Sequence, residues 1–87
     1  MAKFEIRFKK SVARDLRAIP NTEVSRILRR IDRLAENPRH EGCVKLSGMD
    51  YYRVRVGLCR IIYEIQDANL VVLVIKAGHR SDIYRHS

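Results

Sequence analysis

Leu70-Val71-Val72-Leu73-Val74-Ile75 is the stretch that most limits the folds open to this 87-residue chain. An unbroken apolar run rich in β-branched residues predicts a strand over 70–76 that is buried on both faces. Such a strand is central and needs partners on each side.

The preceding segments supply them. Tyr51 to Val56 alternates, with Tyr52, Val54 and Val56 on one face and Tyr51, Arg53 and Arg55 on the other. Cys59 to Ile65 forms the next strand. Gly57-Leu58 fits a two-residue turn of type II′, which takes glycine first. That turn sets a register in which Val56 opposes Cys59, Arg55 opposes Arg60, Val54 opposes Ile61 and Arg53 opposes Ile62. Asp67-Ala68-Asn69 turns the chain into the apolar strand. Near the N-terminus, Phe4, Ile6 and Phe8 alternate with Lys3, Glu5 and Arg7, the pattern of a half-buried strand.

Two helices fit between. From Lys9 to Ile19 the period is helical, with Val12, Leu16 and Ile19 on one stripe, and Pro20 ends it. Asn21 is placed to cap a second helix, with Glu23 in its first turn. Val24, Ile27, Leu28, Ile31, Leu34 and Ala35 form its wide apolar stripe, and Asn37-Pro38 stops it. Residues 39–50, with Gly42 and Gly48, read as a loop. The order strand-helix-helix-strand-strand-strand predicts an α+β domain over 1–87. Its sheet is mostly antiparallel and four-stranded, with both helices packed on one face.

Lysine and arginine number 18 against 10 acids, a net charge of +8. That excess favours a polyanionic partner through counterion release and steering; the plainer alternative is a well-solvated surface. No apolar run approaches the ~20 residues of a membrane span, and the N-terminus lacks a signal-peptide core. Cys43 and Cys59 read as free thiols of a reducing cytoplasm more readily than as a disulfide. With His40, His79 and His86 they make no zinc pattern, so neither a metal nor a cofactor is expected.

The hairpin carries the chemistry. Arg55 opposite Arg60, with Arg53 two residues along, puts like charges side by side, which destabilises a sheet. An anion between them removes the repulsion; without one, the side chains splay into water. Guanidinium groups suit phosphates because their donor forks bind bidentately and stay charged. Tyr51 shares that face and can stack on a base. Tyr52 and Tyr63 read as rim residues on the core face. The apolar strand runs into Gly78-His79-Arg80, with Tyr84 beyond, so a titratable ring, a fixed cation and an aromatic follow one sheet edge. His79 either shuttles a proton near neutral pH or is hydrogen-bonded locally. Arg26, Arg29, Arg30 and Arg33 on the second helix form a solvated or partner-binding face rather than a catalytic one.

Several of these pieces occur together in one known family. Asn37-Pro38, Lys45-Leu46-Ser47-Gly48-Met49, Tyr52-Arg53-Val54-Arg55, Arg60-Ile61-Ile62-Tyr63, Gly78-His79-Arg80 and Tyr84 span nearly the whole chain. In them the chain resembles the RelE toxins of bacterial toxin–antitoxin systems. The Lys-Leu-x-Gly and Arg-x-x-Tyr pieces are shared across the RelE/ParE superfamily, whereas the Gly-His-Arg ending with a following tyrosine is more specific to the RNase branch.

The resemblance implies a small α+β toxin that cleaves mRNA in the ribosomal A site without a metal. The 2′-hydroxyl attacks the adjacent phosphate and the 5′-oxygen of the next nucleotide leaves. Arg60 then corresponds to the cation that stabilises the phosphorane. Arg80 corresponds to the residue that stabilises or protonates the leaving oxygen, and Tyr84 to the aromatic that orients the base. Arg53 and Arg55 stand where relatives often carry lysines, one of them a proposed base. Arginine stays protonated and is a poor base. The pair is therefore expected to hold the backbone, with His79 as a candidate base or acid. Lys45, Tyr51 and Arg85 are the expected RNA-binding positions.

The turn is two residues shorter than in some relatives, which shifts Arg60 relative to Arg55. The implied partners are the ribosome with its mRNA, and a RelB-like antitoxin wrapping the toxin. Operator DNA is reached only through the antitoxin complex, and no membrane is involved. Two other readings stay open: a ParE-like, non-enzymatic inhibitor of DNA gyrase, and a relative that binds RNA or antitoxin without cutting.

Overall fold

In the computed structural model, residues 3–46, 48 and 50–79 are described, His79 by its backbone. The elements are β1 (Glu5–Phe8), α1 (Lys10–Arg17), α2 (Asn21–Glu36), β2 (Val44–Lys45), β3 (Tyr51–Val56), β4 (Cys59–Gln66) and β5 (Val71–His79). A single 3₁₀ turn, Asp67–Asn69, joins β4 to β5. The strands lie in the order β1-β5-β4-β3-β2, with β1 parallel to β5 and every other pair antiparallel.

The sheet has five strands where the pattern predicts four. The addition is β2, whose Val44 and Lys45 pair with Arg53 and Tyr52 inside the expected loop. Two residues are too few for alternation to reveal a strand. The interior position predicted for the apolar run holds, since β5 is paired on both sides. Its start and end shift: Leu70 adopts a left-handed conformation (φ 52°) to close the turn, and the strand extends to His79.

Both helices cover one face. Val12, Ile19, Ile27, Ile31 and Leu34 meet Val54, Val56, Cys59, Ile61, Tyr63, Val72, Val74 and Ala77 in one core. Leu28, expected in the stripe, stays 42% exposed on its flank. Pro20, not Asn21, caps α2. Its extended backbone (ψ 143°) lets its carbonyl accept from Glu23 and Val24 N–H at 2.9 and 3.0 Å, and Asn21 is already helical.

Tyr63 is no rim residue. It is fully buried, stacked on Tyr52 with ring centroids 5.8 Å apart, and its hydroxyl donates to the Pro38 carbonyl at 2.6 Å. Burial pushes its phenol well above the ordinary tyrosine range. Just outside, Arg39 stands over the Tyr52 ring and grips Asp67 with two hydrogen bonds of 3.0 and 2.8 Å. The segment after α2 is thereby tied to the β4–β5 turn, and the Arg39 hydrogen bonds hold the Asp67 carboxyl below its usual range.

One irregularity decides which face the end of β5 presents. Ile62 pairs with Lys76, but Tyr63 pairs with Val74, so Ile75 is an extra residue. A β-bulge of this kind reverses the alternation beyond it. Val72 and Val74 face the helices before the bulge and Ala77 after it, which turns Lys76 and Gly78 to the opposite face.

Candidate functional site

The sheet face turned away from the helices carries the hairpin arginines. The predicted register is the one observed: Val56 with Cys59, Arg55 with Arg60, Val54 with Ile61, Arg53 with Ile62. Gly57 makes the turn possible with φ +60°, a conformation that suits residues lacking Cβ. Continuing across β5 gives two rows. Arg55, Arg60 and Gly78 form one; Arg53, Ile62 and Lys76 form the next, with Val44 at its edge.

The three arginines differ in setting. Arg55 is exposed and Arg53 half-buried, whereas Arg60 is 2% exposed and its side chain is engaged. Splaying into water therefore describes Arg55 and not Arg60. A guanidinium this buried is costly to desolvate, so holding it here fixes its position at the cost of stability.

Lys76 is a member of this face that sequence reasoning missed. Strict alternation from Val72 and Val74 would send position 76 into the core. The bulge turns it outward, where it lies half-buried and diagonal to Arg60 across the β4–β5 pair. Diagonal positions in a sheet are about 7–8 Å apart, within reach of long side chains. The available signal was a lysine where alternation demanded an apolar residue.

Lys45 and Tyr51 also come together, lining a shallow groove with Gly48, Asp50 and Glu64. Its two carboxylates make this end mixed in charge, so the positive charge of the sheet concentrates at Arg53, Arg55, Arg60 and Lys76. His79 pairs through its backbone with Cys59, a core position, while Gly78 pairs with Arg60. Arg80, Tyr84 and Arg85 lie outside the described residues.

The two cysteines are free thiols. Among the described residues no cluster of His, Cys, Asp or Glu could hold a metal ion, and no helix is long and apolar enough to cross a membrane. The arrangement presents fixed guanidinium charge with the Lys76 amine beside it, which suits a phosphodiester chemically.

Comparisons with known proteins bear on the family and the fold. A family model described as the ParE toxin of type II toxin–antitoxin systems matches residues 6–84. The chain is similar to a solved chain of the archaeal RelE–RelB complex from Pyrococcus horikoshii, at 29% identity, covering 92% of this chain and 97% of that one, with a TM-score of 0.79. It is likewise similar to free E. coli RelE bearing two arginine-to-alanine substitutions (29% identity, 98% and 93% covered, TM-score 0.78). A chain of the intact E. coli RelBE toxin–antitoxin complex matches at 26% identity, with 87% and 95% covered and a TM-score of 0.77.

Proposed function

The chain belongs to the RelE/ParE family of toxins from type II toxin–antitoxin systems, and from that membership we propose that it is a ribosome-dependent mRNA endonuclease of the RelE branch. The observation that carries this reading is Arg60, a buried and engaged guanidinium directly opposite Arg55, with Arg53 and Lys76 in the adjoining row. Folding alone does not reward that concentration of charge on a sheet. A scissile phosphate does.

In this mechanism the 2′-oxygen attacks phosphorus, the bond to the 5′-oxygen breaks, and the products end in a 2′,3′-cyclic phosphate and a 5′-hydroxyl. Arg60 takes the charge that develops on the non-bridging oxygens. Arg53 and Arg55 hold the backbone. The 2′-hydroxyl proton needs an acceptor; an arginine cannot be one, which leaves the Lys76 amine as the candidate on this face. His79 is the alternative proton carrier. Arg80 stabilises the leaving oxygen and Tyr84 stacks on the base, with Lys45, Tyr51 and Arg85 along the strand's path.

The test is purified protein on translating ribosomes, with mapping of the mRNA 3′ ends. Arg60→Ala, Arg80→Ala and Lys76→Met are expected to slow cleavage by roughly 10²–10⁴-fold. A-site codons left uncut at saturating wild-type protein would sink the enzyme reading. Full activity in Lys76→Met would remove the lysine from the mechanism.

The match to the ParE model favours a second reading, inhibition of DNA gyrase without catalysis. It predicts trapped gyrase–DNA complexes, intact mRNA and indifference to Arg80.

The relatives from P. horikoshii and E. coli are seen with RelB. A RelB-like antitoxin is accordingly the proposed partner, contacting operator DNA on behalf of the complex, in the cytoplasm where ribosomes work. The net charge of +8 supports both the antitoxin and the ribosome. An apolar groove lined by Phe8, Val12, Ala13, Leu16 and Leu28 supports a protein partner.

A further inference from the structure

The sheet-face site leaves four arginines of α2 unused. Arg26, Arg29, Arg30 and Arg33 recur at i, i+3, i+4 and i+7, so they share one face of the helix. With Val56 and Gly57 of the hairpin they line a single open groove. Val56 faces the helices, so this groove lies on the opposite side of the sheet from Arg53, Arg55 and Arg60.

The cluster has little to balance it. Arg26 has Glu23 at 3.5 Å, and the other ion pairs among the described residues are Arg7–Glu5 and Arg39–Asp67. Arg29, Arg30 and Arg33 thus face one another's charge with no carboxylate partner among the described residues. Like charges three and four residues apart weaken the helix that bears them. An anionic partner would relieve that repulsion.

We propose that this groove docks the phosphate backbone of double-helical RNA. Protein partners need a desolvated apolar or aromatic anchor. Here the lining offers only Val56, itself buried at 5% exposure. The apolar groove that suits a protein contains Leu28, on the other flank of α2. Single strands need an aromatic platform for their bases, and none lines the groove. A duplex is recognised through the shape and charge of its backbone. Over the ~10 Å from Arg26 to Arg33 a duplex presents about six phosphates, to which guanidinium forks are well matched. Choosing RNA over DNA rests on the ribosomal reading above. The protein would then hold structured RNA on one side and offer its sheet face to a single strand on the other.

The experiment measures binding to a 20-base-pair RNA duplex between 50 and 200 mM salt, without ribosomes. Arg29→Ala/Arg30→Ala/Arg33→Ala is compared with Lys10→Ala/Arg14→Ala/Arg17→Ala, which removes the same charge from α1. Alanine keeps the helices favoured, and circular dichroism checks them. The α2 triple variant is expected to flatten the log–log salt slope by about 2–3 and to weaken binding at least tenfold, with the α1 variant changing the slope by less than about 1. Single Arg29→Ala and Arg33→Ala variants each flatten it by about 1. Equal losses from the two triple variants would reduce the groove to general electrostatics and overturn the proposal. So would a wild-type protein that fails to bind, one that binds duplex DNA as tightly, or one from which poly-glutamate displaces the RNA at lower concentration than unlabelled duplex. Intact duplex binding with no A-site cleavage would count against the ribonuclease reading alone.

Discussion

A buried thiol beside a carboxylate has good reason to stay protonated, and Cys59 is in that position. Its burial, and then the negative charge of Glu23, push the thiol above its ordinary range. In the unfolded chain a cysteine ionises near 8.5. Between that value and the raised folded one, the unfolded state loses a proton that the folded state keeps. The contribution is therefore complete below about pH 8.5 and declines as pH rises through the folded value. Urea unfolding at pH 8.5 and 9.5 should show the wild type losing more stability than Cys59→Val over that interval. Parallel losses in the two proteins would mean that Cys59 does not sense pH. Arg60 and Lys76 show a different economy at the same scale: charges kept on a sheet face at a cost in stability, in positions that a phosphate would reward.

Among the elements, the β3–β4 hairpin and the bulge in β5 do the positioning. The hairpin holds Arg55 opposite Arg60 because its turn is closed by Gly57 at φ +60°. A Cβ at Gly57 would stand 2.9 Å from Glu23 Oε2 and 3.4 Å from Arg26 Nη1, so the turn also sits tightly against α2. Gly57→Ala should destabilise the protein by about 1–3 kcal/mol, from the backbone strain and the contact together. Thermal or urea unfolding measures it, and an unchanged midpoint would show that the turn relaxes freely. The bulge at Ile75 has a more local effect. Without it, Lys76 would follow Val72 and Val74 into the core and Ala77 would be turned out.

The whole molecule is small beside the range of its own charge. It measures 34 × 28 × 25 Å and carries +8. At 0.01 M salt the Debye length is about 30 Å, so every charge senses the rest; near 0.1 M it is about 10 Å. Self-repulsion destabilises a compact state of high net charge. The melting temperature is therefore expected to rise by several degrees between 0.01 and 0.2 M sodium chloride. A flat or falling curve would show that the arginine faces are already neutralised within the fold. The layout has a functional side as well. One cationic face lies on the sheet and another on α2, with the core between them, an arrangement that the proposed RNA contacts would use on both sides.

What the amino-acid sequence determined by itself was everything local or periodic. A glycine-first turn and strict alternation on either side set the hairpin register residue by residue. An apolar run demanded an interior strand, and the 3.6-residue stripe demanded α2. The family pieces around Arg53, Arg55 and Arg60 were readable for the same reason, since their spacing along the chain is their spacing on the sheet. Tertiary structure decided what depends on distant partners. β2 exists only because Val44 and Lys45 find β3, and Tyr63 is buried because Pro38 offers its carbonyl. Lys76 joined the cation face through a register shift against β4, and the α2 arginines became a groove when the hairpin packed beside them. Periodicity reports which way a side chain points within its own element; which surface that element then shares is settled by packing against segments far away in the chain.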